Sequence, residues 1–136
     1  MKLLMTFASK MQYKPTVKTL AEFKSYDQEV THNDVLVAFI HAEEKDEEDL
    51  GKVEKKLVKN LKWAAGKNET KKVLLHSFAH LSESKASPEF TKELFDKAEA
   101  RLKNADYETN QTPFGYFLDL SIDLPGYSQA RIFKSF

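Results

Sequence analysis

Asp34-Val35-Leu36-Val37-Ala38-Phe39-Ile40-His41-Ala42 is the stretch that decides the fold. Val35 to Ile40 is apolar without a break, where a half-buried strand would alternate. Such a run predicts a strand buried on both faces, in a central position. Lys72–Phe78, built on Val73-Leu74-Leu75-His76, reads as a second buried strand. Between them Leu50, Val53, Leu57, Val58, Leu61 and Ala65 recur at three and four, the spacing of one helix face. Asp46 or a neighbour is expected to cap that helix, and Gly66 and Asn68 to stop it.

A second helix opens at Ser87-Pro88-Glu89, an N-cap followed by proline in the first turn. Phe90, Leu94, Phe95, Ala98 and Leu102 form its apolar stripe, and its end is expected near Asn104. Lys2–Phe7 reads as an opening strand with Met11–Val17 pairing back on it. Phe114–Ile122 reads as a strand ended by Pro125-Gly126, with Tyr127–Phe133 as a hairpin-like return. Tyr107–Thr109 is expected to be short and extended, and Thr19–Asn33 to be the mobile segment. The order β, β, β, α, β, α and then strands predicts an α/β domain, a mixed β-sheet with two main helices packed on it.

Length and composition narrow the classes. A chain of 136 residues suits one domain, 1–136, with a core of its own. Lys plus Arg is 21 and Asp plus Glu is 21, which argues against a generic polycation that coats nucleic acid. The charge is nonetheless uneven. Residues 43–49 are almost all acidic, whereas eight lysines lie between Lys52 and Lys72 against Glu54 and Glu69. One helix with acids at its start and lysines toward its end accounts for this through the helix dipole. A basic surface that meets phosphate is the other account. Cysteine is absent, so disulfides, thiolate metal sites and cysteine catalysis are excluded. No apolar run approaches the roughly 20 residues of a membrane span. The opening Met1–Met5 is too short for a signal-peptide core. A cytoplasmic address is therefore expected, with no membrane.

Few residues stand out chemically. His76 and His80 are four apart, but four residues of extended chain span about 13 Å, too far for one ion, so no metal is expected. No Gly-x-Ser-x-Gly elbow and no glycine-rich phosphate loop is present, and no cofactor is expected. His76-Ser77-Phe78-Ala79-His80-Leu81-Ser82 is different, because it lies where a buried strand leaves the sheet, a common ligand position. Downstream, Thr112-Pro113-Phe114-Gly115-Tyr116-Phe117 carries a glycine that lets a ligand approach the backbone. A core reading of the two phenylalanines and a turn reading of Pro-x-Gly stand beside it.

Phe78-Ala79-His80-Leu81-Ser82 and Pro113-Phe114-Gly115-Tyr116 together resemble the paired signatures of the archaeal threonyl-tRNA synthetase editing domain. Val35–Ile40 followed by Glu43-Glu44-Lys45 is similar to that family too, as is the order of elements along nearly the whole chain. The resemblance implies a D-aminoacyl-tRNA deacylase-like fold, a homodimer, and hydrolysis of serine mistakenly esterified to threonine tRNA. Serine lacks only a methyl group relative to threonine, worth about 1–3 kcal/mol in a pocket, so a second sieve is the remedy. By the family pattern His80 is the active-site histidine. Backbone around Val37 and Ala38, together with Phe78, Ala79, Gly115, Tyr116 and Phe117, lines the seryl pocket. Backbone groups and the terminal 2′-hydroxyl of the tRNA assist the reaction, and a synthetase catalytic body is a further partner. The chain departs from the pattern at three positions. Phe117 and Leu118 stand where the family usually has a tyrosine and a lysine, and Arg131, counted from Gly126, stands where it has an acid. Lys10, Lys14, Asp119 and Arg131 are candidates to substitute in space.

Overall fold

The computed structural model describes residues 1–136 throughout. The elements are β1 (Lys2–Lys18), β2 (Val30–His41), α1 (Leu50–Lys67), β3 (Lys72–Ser77), α2 (Pro88–Asn104), β4 (Glu108–Gln111), β5 (Tyr116–Asp123) and β6 (Arg131–Ser135). Short 3-10 turns at Glu44–Glu48 and Ser128–Ala130 link them. One sheet runs β4-β3-β2-β1-β5, with β6 also paired to β1. β2, β3 and β4 are parallel neighbours, and β1 is antiparallel to β2, β5 and β6. The expected mixed sheet with two helices is therefore observed, and β2 lies in its middle.

Both helices pack on one face of the sheet. Leu36, Ala38 and Ile40 of β2 and Val73 and Leu75 of β3 meet Leu57, Leu61, Leu94, Phe95 and Ala98 there. The alternate residues Val35, Val37 and Leu74 form a second cluster on the opposite face with Ala8, Met11 and Tyr13. Two-sided burial is the cause of the unbroken apolar run in β2.

Helix boundaries follow their caps. The side chain of Asp49 accepts from the backbone N–H of Lys52 at 3.1 Å and caps α1, while Asp46 caps the preceding turn by accepting from Glu43 N at 2.7 Å. Ser87 Oγ accepts from Phe90 N at 3.1 Å, with Pro88 in the first turn of α2.

Two expected pairings are corrected. Lys2–Phe7 and Met11–Val17 are not a hairpin but one strand of 17 residues. Ala8-Ser9-Lys10 has no tight-turn chemistry, and by continuing, the strand keeps β2 beside it from Lys2↔His41 to Tyr13↔Val30. Its inward face does change sides. Leu3 and Met5 belong to the helix-side cluster and Met11 and Tyr13 to the other. The switch falls where Ser9 drops out of the ladder opposite Asp34, whose φ is 51°. Nor does the C-terminal stretch return to β5. Beyond Pro125-Gly126 a 3-10 turn carries it past β5, and β6 pairs with the first residues of β1, Lys2↔Ser135 to Thr6↔Arg131.

The segment expected to be mobile is partly strand, since β2 begins at Val30. The rest is tied down: Thr19 N and Leu20 N donate to Gly115 O at 2.7 and 3.4 Å, and Tyr26 N donates to Tyr116 Oη at 3.0 Å. No helix is long and apolar enough to cross a membrane.

Candidate active-site cleft

A cleft of about 350 Å³ opens where β3 leaves the sheet. Three segments far apart in sequence build it: Ser77–His80, Pro113–Leu118, and Thr19–Leu20 at the end of β1. Phe78 N donates to Ile40 O at 3.0 Å, so the ladder continues one residue past β3 before the chain turns away.

Gly115 sets the shape of the second segment. Its φ is +82°, and a Cβ there would lie 3.0 Å from Leu20 Cβ. The neighbour that an added Cβ would meet is thus Leu20 of the same chain. Its carbonyl also accepts from Thr19 Oγ1 at 3.0 Å.

Six of the eight expected site residues line the cleft: Phe78, Ala79, His80, Gly115, Tyr116 and Phe117. Val37 and Ala38 do not, since both are fully buried, on opposite faces of β2. His80 sits exposed at the rim, with its ring 4.9 Å from that of Phe78 in an edge contact. Phe117 is 59% exposed. Leu118 packs against the second apolar cluster. Arg131 lies outside the cleft, donating to Pro125 O at 3.0 Å and Tyr127 O at 3.3 Å. Lys10, Lys14 and Asp119 also lie outside it, in the β1–β5 ladder, where Lys14 pairs with Asp119. None of these four supplies a charged group to the cleft.

Two further side chains of the lining, His76 and Lys85, were not among the eight expected site residues. His76 lines the cleft and is only 6% exposed. Its Nδ1 lies 2.9 Å from Thr112 Oγ1, and its ring packs against Phe39 and Phe78 at 5.2 and 5.9 Å. Burial lowers its pKa from 6.5 to about 4, so the imidazole is neutral at pH 7. No buried side-chain nitrogen or oxygen lacks a partner. Nε2 has no protein partner, so it keeps solvent contact through the cleft. The period of two places Leu74, His76 and Phe78 on one face of the strand, a signal available before the structure. Lys85 is the only lysine or arginine of the lining, and the lining holds no carboxylate. Only the fold brings Lys85 back to the cleft.

The loop from His80 to Ser87 is fastened to the end of β2. His41 accepts from Leu81 N at Nδ1 (2.9 Å) and donates from Nε2 to Ser84 O (2.7 Å), which fixes the neutral tautomer. Glu43 accepts from Ser82 Oγ at 2.8 Å and, on its other oxygen, from the Met1 ammonium at 2.5 Å. Burial pushes the Glu43 carboxyl up, but the bonds from Met1 and Ser82 and the charges of Met1 and Lys2 outweigh it and hold the pKa at about 2.

Acid lability follows from these two groups. His76 titrates near its ordinary value of 6.5 when unfolded but about 4 when folded, so stability falls as pH drops between those values, by at most about 3 kcal/mol. The contribution of Glu43 is full above 4.5 and is lost as pH falls toward 2. Urea titrations at a series of pH values should show both windows, and His76→Gln should flatten only the upper one.

Comparison with known proteins places this chain. It is an α/β domain whose strand exits form one polar-rimmed cleft, and over residues 1–136 it matches the archaea-specific editing domain of threonyl-tRNA synthetase. The chain belongs to that family. It is 28% identical over 136 residues to a threonine–tRNA ligase of Methanopyrus kandleri, covering 99% of this chain and 22% of the relative. It is 31% identical over 139 residues to that of Staphylothermus marinus, with 99% and 22% covered. The chain thus spans about a fifth of the length of these curated relatives. Among solved structures, the c-Myc DNA Unwinding Element Binding Protein superposes with a TM-score of 0.69 at 11% identity, covering 99% of this chain and 98% of that one. That likeness concerns the fold, and the expected D-aminoacyl-tRNA deacylase-like architecture stands.

Proposed function

We propose that this domain hydrolyses the ester of mischarged tRNA, with seryl-tRNA(Thr) as the substrate. The observation that carries this is convergence: Phe78-Ala79-His80 and Pro113–Tyr116, far apart in sequence, wall one cleft. In the reaction water adds to the ester carbonyl carbon, the bond to the ribose oxygen breaks, and serine leaves as its acid. The ribose oxygen recovers a proton and becomes a hydroxyl.

The cleft has no carboxylate to act as a general base. By the family pattern, backbone groups at the strand exit and the terminal 2′-hydroxyl of the tRNA assist activation of the water. His80 at the rim orders the water or the ribose. Lys85 is the cation available to the terminal phosphate, where the departure at Leu118 leaves no lysine. His76, neutral at pH 7, presents Nε2 from the cleft wall to a polar group of the ligand. The acceptor end of tRNA, a second copy of the chain and a synthetase catalytic body are the proposed partners, in the cytoplasm, with no cofactor and no metal.

His80→Ala and Lys85→Ala are each expected to slow release of labelled serine by about 10- to 100-fold, the scale of one positioned polar contact. Melting temperatures should stay near that of the parent, since both side chains are exposed. Unchanged rates in both variants would refute these assignments.

One observation favours a second reading. Phe117 and Leu118 line the cleft, and neither carries a hydroxyl or a cation. On that reading the domain binds tRNA or a synthetase without hydrolysis. Phe117→Tyr with Leu118→Lys would then create activity in an otherwise inert chain.

A further inference from the structure

The solvent face of α1 is a ridge of lysines that nothing in the fold neutralises. Lys52, Lys55, Lys56, Lys59, Lys62 and Lys67 are the six lysines of this helix. At the helical period they fall within an arc of about 140° centred on Lys59. None of them makes an ion pair. The only acid in the helix, Glu54, is buried and held by Arg101 at 3.0 Å. α2 is built the other way. Each of its cations has a carboxylate: Lys92 with Asp96, Lys97 with Glu93, Arg101 with Glu54 and Lys103 with Glu99.

The helix dipole does not account for the ridge. Only Lys67 lies in the last turn, where a cation is favoured. The first turn has no acid, and the acids expected at the helix entrance sit in the turn before it. Lys52 lies in the first turn, where a cation is disfavoured. Like charges three and four apart, such as Lys52 with Lys56 and Lys55 with Lys59, destabilise a free helix further. Glu48 and Asp49 border the ridge only beside Lys52 and Lys56.

Within the ridge Trp63 is 46% exposed. Lys67 and, from β6, Lys134 lie 5.8 and 5.0 Å from its ring. From Lys52 to Lys67 the ridge runs about 22 Å, a length over which a nucleic-acid backbone presents several phosphates. α1 starts after the 3-10 turn that follows β2 and packs on the face of the sheet opposite the one that carries His76 and Phe78, so the ridge and the cleft present separate surfaces.

We propose that this ridge holds the phosphate backbone of tRNA outside its acceptor end. The proposal rests on the editing function. A cleft of about 350 Å³ with Lys85 as its single lysine takes only the aminoacylated terminus, so the body of the tRNA must be held elsewhere. The ridge gathers six lysines without an ion pair on one helix face.

The test is the triple variant Lys55→Glu, Lys59→Glu, Lys62→Glu, compared with the parent chain for binding of uncharged tRNA(Thr) transcript between about 50 and 200 mM salt. The slope of log affinity against log salt should fall by about 3, roughly one per lysine, and affinity at the low-salt end should drop at least tenfold. An unchanged slope and affinity would overturn the proposal, as would a parent chain that binds no tRNA. So would a variant that keeps tRNA but loses a separately prepared synthetase body, since the ridge would then dock protein. Hydrolysis of seryl-tRNA by the parent is read in parallel. If it is absent while the slope difference remains, the ridge stands and the catalytic function fails.

Discussion

Glu43→Leu should destabilise the fold by about 3–5 kcal/mol, the scale for removing one partner of a buried ion pair. For a chain of this size that lowers Tm by on the order of 10–20 °C. The Met1 ammonium is fully buried. It is held by Glu43 at 2.5 Å, Asp46 at 2.9 Å and the Phe136 carbonyl at 2.7 Å. Without Glu43 it keeps one carboxylate and loses the closer one. Ser82 loses its acceptor in the same step, which removes one of the bonds that fasten the loop at the cleft rim. Glu43→Gln keeps a hydrogen-bond acceptor while removing the charge, so it should lie between the two. Denaturant unfolding of all three chains checks this, and a Glu43→Leu chain within 1 kcal/mol (about the error of a careful comparison) of the parent contradicts it.

The second large effect is expected at Gly115. Its φ of +82° strains any side chain, and a β-branched one most. The added Cβ also meets Leu20 Cβ at 3.0 Å, in a segment tied to Gly115 by three hydrogen bonds. Gly115→Val must therefore displace Leu20 or flip the backbone. Either change moves Thr19–Leu20 off the cleft. A loss of about 2–4 kcal/mol is expected from strain and overpacking together. Seryl-tRNA hydrolysis should fall more than 100-fold, as follows when a reacting group moves by about 1 Å. Gly115→Asn tolerates positive φ better but keeps the clash, so it separates the two causes. A Gly115→Val chain with parental stability and rate would mean that Leu20 yields freely and that this contact does not shape the cleft.

What the sequence made legible was local. Both helices, the strand at Val35–Ile40 and the one after it could be read because periodicity, caps and unbroken apolarity are written in neighbouring residues. Pairing is a different matter. Met11–Val17 alternates in the same way whether it folds back on Lys2–Phe7 or continues from it, so the pattern alone left the pairing undecided. The partner of Arg131–Ser135 depends on where a 3-10 turn aims the chain. The site divides similarly. Phe78, Ala79, His80 and the Pro113–Phe117 stretch were recognisable as motifs. Lys85 and Leu20 belong to the cleft only because loops bring them there, and a Cβ at Gly115 would meet Leu20. His76 opens the strand-exit stretch, and strand alternation places it on the same face as Phe78.

The most direct measurement is a deacylation panel with the intact chain and tRNA carrying serine, threonine or a D-amino acid. Seryl-tRNA(Thr) should be hydrolysed well above the rate in buffer while threonyl-tRNA(Thr) is spared. If none of these esters is cleaved faster than in buffer, this domain is not an editing hydrolase.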